Sequence, residues 1–90
     1  MSLPGSDLVA AGVSDLRAGR VTAPALLVAA ASTRLRAAGV TVPAADVDDA
    51  WHRLYALLAE EDPRTAHGRH NALVRRLVSF LRAAGDARAA

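Results

Sequence analysis

Two segments with the 3.6-residue apolar period of an amphipathic helix meet at Asp62-Pro63, and this junction constrains the chain more than any other feature. Before it, Val47, Trp51, Leu54 and Leu58 recur at helical spacing, flanked by Ala50, Tyr55 and Leu57. After it, Ala66, His70, Leu73, Leu77, Leu81 and Ala84 repeat the pattern, with Val74 and Phe80 at its edges. Proline cannot continue the first helix without losing a hydrogen bond, but it suits the first position of the second. Asp62 is then the N-cap, its carboxylate accepting from an otherwise unpaired N–H. So short a connection predicts an antiparallel pair of helices over about 46–61 and 63–84.

Charge divides at the same point. Residues 44–62 hold six acids and one arginine, and residues 63–90 hold six arginines and one acid. An antiparallel pair would set Asp46, Asp48 and Asp49 beside Arg75, Arg76 and Arg82. Exposed ion pairs contribute about 0–1 kcal/mol each, so they would select register more than add stability.

The first half predicts two more helices. Ser6 or Asp7 can cap one over 7–18, with Val9, Val13 and Leu16 as its buried face and Gly19 as its stop. Gly12, inside it, is a poor helix former. Thr22 can cap a second over 23–38, where Pro24 is tolerated in the first turn. Its first half has no polar face, which marks a buried helix. Leu27, Ala31, Leu35 and Ala38 form one stripe. Leu26, Ala30, Thr33 and Ala37 form another on the opposite side. Gly39 ends this helix, Val40 to Pro43 crosses in extended form, and Gly85 ends the fourth. Met1 to Gly5 is expected to fray and Asp86 to Ala90 to form a tail. With 22 Ala, no Ile and one each of Trp, Tyr and Phe in 90 residues, close-packed helices are favoured over a sheet. The expected fold is all-α: a single compact, four-helix bundle-like domain whose last two helices form an antiparallel hairpin.

The absence of Cys excludes disulfides, thiol catalysis and cysteine metal sites. No basic n-region or long apolar run opens the chain, and no uncharged run is long enough to span a bilayer, so a cytoplasmic protein that makes no membrane contact is expected. All eleven basic residues are Arg, which together with the missing Ile points to a G+C-rich bacterial genome. The net charge is only +2, so the pI of 10.4 overstates the basicity, because arginine does not titrate near neutrality.

Candidate chemistry is sparse. His67 and His70 have the spacing of two metal ligands on one helix, but no third ligand stands at a recognisable distance, so no metal is assigned and His70 is read as a core residue. No nucleophile elbow, phosphate loop or dinucleotide fingerprint is present, and no cofactor is expected. Arg64, Arg75 and Arg82 fall within about 20° of one another on a helical wheel, a line about 27 Å long at a rise of ~1.5 Å per residue. Such a ridge could track phosphates. It is equally the solvated face of an amphipathic helix, and no aromatic interleaves it for stacking.

Arg64 and His70 are also separated by five residues, a spacing that resembles the motif of the HEPN ribonuclease domains, which are helical bundles. The resemblance covers one short motif in one helix. It implies Arg64 and His70 as a catalytic pair, although the two stand about 120° apart on a wheel.

These observations point to a non-enzymatic helical module for protein–protein interaction or oligomerisation. The expected partner is a second copy, held as a homodimer through Leu26, Ala30, Thr33 and Ala37, or another protein. A nucleic-acid-binding or regulatory protein using the arginine ridge is the alternative, and a helical ribonuclease the third reading.

Overall fold

The computed structural model describes residues 3–45 and 47–89, with 88 and 89 by backbone alone. The chain is all-helical, with no strand among these residues. Five helices follow in order: α1 (Ser6–Arg17), α2 (Ala23–Ala30), α3 (Ser32–Ala37), α4 (Ala50–Glu61) and α5 (Ala66–Ala89). α2 packs between α1 and α4, while α5 packs against both α4 and α1. No helix among the described residues is long and apolar enough to cross a membrane.

α1 begins as expected within a residue, but Gly5 rather than Ser6 or Asp7 occupies its N-cap position. Leu3 packs against the core instead of fraying; Met1 and Ser2 lie outside the described residues. The helix stops at Gly19, whose φ of 76° is the left-handed conformation that only glycine adopts without strain. Gly19 donates to the Leu16 carbonyl and Arg20 to that of Asp15, the paired bonds of a Schellman stop. Gly39 ends α3 with the same two bonds, to Arg36 and from Val40 to Leu35.

The turn from α1 to α2 is held by one connected set of side chains. Thr22 caps α2, its hydroxyl oxygen accepting from the Ala25 N–H at 3.2 Å. The same hydroxyl donates to Asp15 Oδ2 at 2.6 Å, and Arg20 Nε donates to Asp15 Oδ1 at 3.0 Å. The Thr22 hydroxyl, and after it Arg20, holds the Asp15 carboxyl below the usual aspartate value. The Arg76 guanidinium does the same for Asp7. A folded-state pKa below the unfolded one contributes stability that is present above about pH 4 and is lost as pH falls through the lowered folded value. Wild type is therefore expected to lose stability below pH 4 more steeply than Asp15→Asn, as read by denaturant titration at several pH values. Thr22→Ala, which removes both the cap and the Asp15 partner, is expected to lose about 0.5–2 kcal/mol at neutral pH. Identical acid limbs for wild type and Asp15→Asn would remove Asp15 from this account.

The helix expected over 23–38 is divided. Ala31, at φ −102° and ψ 15°, departs from helical values and separates α2 from α3, although Ala31 still donates to Leu27 and Leu35 to Ala31. Ala25, Leu26, Leu27, Val28, Ala31 and Leu35 are buried, while Thr33, Arg34, Arg36 and Ala37 are exposed. The bend keeps the apolar part of the segment in the core and lets its charged part reach water. Arg36 then turns to the following crossing segment and donates to the Val42 carbonyl at 3.2 Å.

α4 starts at Ala50, four residues later than expected. Asp49 has φ 55° and ψ 45°, a left-handed conformation that cannot belong to the helix and that aspartate tolerates better than most residues. Asp46, expected in the first turn, lies outside the described residues. Between α4 and α5, Asp62 accepts from the Arg64 N–H at 3.0 Å and its carbonyl from the Thr65 N–H at 3.2 Å. Asp62 is therefore not the expected N-cap: it ends α4 and its carboxylate holds a turn over residues 63–65, and regular α-helix begins at Ala66, three residues later than expected. At the other end Gly85 does not stop the helix, which runs on to Ala89. Gly85 has no positive φ, and the residue simply continues the turn in solvent.

Leu27, Leu35, Leu54, Leu58, Leu77 and Val28 are the largest fully buried side chains. Ala66, Phe80 and Ala84 join them from α5, with Leu73 and Leu81 partly buried against the cluster. The α5 stripe is the expected one in Ala66, Leu77 and Ala84, but it is turned toward Phe80, which is buried rather than at the edge, and away from His70, which is half-buried rather than a core residue. The α4 stripe is shifted: Ala50, Leu54 and Leu58 are buried, whereas Trp51 is exposed.

Candidate interaction surface

That shift creates the most distinctive surface of the molecule. Each of the two large aromatics of α4 directly follows a buried residue, Trp51 after Ala50 and Tyr55 after Leu54. A step of one residue turns ~100° around the helix, so both rings emerge on the same edge of α4. Trp51 is 39% exposed and Tyr55 40%. His70 of α5, half-buried, stands against both. Its ring centroid is 6.2 Å from that of Trp51 at 67° and 5.6 Å from that of Tyr55 at 61°, both edge-to-face. His70 therefore sits between α4 and α5 by ring packing and has no hydrogen-bond partner among the described residues. Val74, on the same edge of α5, is half-buried.

His67 turns elsewhere. It is exposed, and its Nε2 lies 3.2 Å from Asn71 Nδ2. The two histidines of the His67/His70 pair thus have different surroundings, and among the described residues no three His, Asp or Glu side chains converge as metal ligands. Arg64, the other half of the ribonuclease-like spacing, lies in the turn before α5 with an exposed side chain, while His70 is engaged by the two aromatic rings.

The arginines divide into paired and unpaired. Arg69 meets Glu61 at 2.9 Å across the α4–α5 turn. Arg76 does not meet the acids before α4. Its Nη2 instead donates to both oxygens of Asp7 on α1, at 2.8 and 2.9 Å. Arg75 and Arg82 are exposed on α5, and Arg64 is exposed in the turn. Asp48 and Asp49 are exposed too, and none of these five residues has an ion-pair partner among the described residues.

The α2–α3 stripe is less continuous than its spacing suggests. Leu26 is 2% exposed and belongs to the core, Ala30 is half-buried, and Thr33 and Ala37 lie on α3, beyond the bend at Ala31. The grooves are open ones. One of about 450 Å³ runs along α1 and the crossing segment between Val13, Val40 and Phe80, with Arg17 among its lining residues. Its polar lining is Ser6, Ser14, Thr41 and Arg17, with no His, Asp or Glu beside the hydroxyls.

The signal for the aromatic surface was in the sequence: Ala50 and Leu54 offer α4 an alternative core stripe that leaves Trp51 outside. Hydrophobicity alone placed the largest apolar ring in the core. The chain matches no family model, no curated protein and no solved structure.

Proposed function

We propose that this chain is a non-enzymatic protein–protein interaction or oligomerisation module, acting through the α4–α5 edge that carries Trp51 and Tyr55. In this reading α1, α2–α3, α4 and α5 form a four-helix bundle-like domain, and α4 and α5 an antiparallel hairpin that presents the edge. The Glu61–Arg69 pair beside the turn and the Trp51–His70 contact further along support that arrangement.

The observation that carries the proposal is the pair of aromatic rings exposed on one helix edge and steadied by His70. Tyrosine and tryptophan are enriched at the centres of protein interfaces, where a rigid ring buries much area for little entropy lost. Val74, one turn from His70 on the same edge, adds a half-buried aliphatic side chain, which costs little to desolvate when a partner docks.

The test compares wild type with Trp51→Ala/Tyr55→Ala, after circular dichroism has shown equal helicity. Wild type is expected to retain protein partners, itself included, that the double variant loses. Equal retention by both proteins would overturn the proposal. So would tight binding of DNA or RNA near physiological salt that Arg64→Gln/Arg75→Gln/Arg82→Gln abolishes. That triple variant is expected to keep its fold, because all three side chains are exposed and have no ion-pair partner among the described residues.

A further inference from the structure

We draw no further inference here: the strongest candidate, the open apolar groove along α1 between Val13, Val40 and Phe80, is an unpartnered face, and nothing in the structure shows what covers it.

Discussion

Leu54→Ala and Leu77→Ala are each expected to lower stability by roughly 2–5 kcal/mol. Leu54 is 0% exposed and Leu77 is 1% exposed, and both belong to the single core cluster. Removing the side chain beyond Cβ loses the transfer free energy of the deleted carbons. It also leaves a cavity that α2, α4 and α5 can close only by moving as helices. A 90-residue chain has roughly 5–13 kcal/mol in all, so either variant would remove a large share. Trp51→Ala deletes more carbon atoms, yet it is expected to lose less, because part of that ring is already in water. Urea titration reads all three, and unchanged slopes would confirm that midpoint shifts report stability. A loss below about 1 kcal/mol at Leu54 would mean that α4 does not present this face to the core.

The contrast between Leu54 and Trp51 shows what periodicity conveys. An apolar stripe at a spacing of three and four residues identifies a helix, and it did so here for α1, α4 and α5. It fixes the azimuth of that helix only within the width of the stripe. In α4 the set Val47, Trp51, Leu54 and Leu58 and the set Ala50, Leu54 and Leu58 differ by a small rotation. Packing chose the second, because a small alanine lets α4 approach its neighbours where an indole would hold it away. In α5 the rotation was smaller: Ala66, Leu77 and Ala84 are buried as expected, while Phe80 replaces His70 in the core.

Helix ends were legible where a side chain or a glycine decides them. Thr22, Gly19 and Gly39 act as their types imply, whereas Asp62 holds only a turn before α5 and Gly85 does not stop that helix. Ends decided by backbone conformation at an ordinary residue were not. Nothing about Ala31 announces a bend, and Asp49 adopts a left-handed conformation among acids that would also suit a helical first turn. The candidate surface was less legible than the fold. It depends on which residues packing leaves outside and on which arginines find acids. Arg76 found its partner on α1, far away in sequence, and local spacing carries no information about such a contact.

Gly12→Ala is expected to destabilise the chain by about 2–3 kcal/mol, although alanine is the better helix former by roughly 1 kcal/mol. Gly12 lies within α1 and is buried where α1 crosses α2. A Cβ at this position would run into the carbonyl oxygen of Pro24 and into Cγ2 of Val28. Neither obstacle yields easily. The carbonyl belongs to the first turn of α2, which the Thr22 cap and Asp15 hold in place. Val28 is wholly buried, and a β-branched side chain in a helix has essentially one available χ1 rotamer. The added methyl must therefore push the two helices apart along their contact, and this loss exceeds the gain in helix propensity. Gly68→Ala supplies the control within the same molecule. A Cβ at Gly68 meets nothing within 4 Å, so that variant should gain about 0.5–1 kcal/mol from propensity alone. Opposite signs for the same substitution at two helical glycines can come only from what the Cβ touches. Val28→Ala in the Gly12→Ala background removes one of the two obstacles. The pair should then lose less than the sum of its single variants, a coupling that a thermodynamic cycle measures directly. A Gly12→Ala variant as stable as wild type would place α1 and α2 too far apart for this crossing and would sink the account.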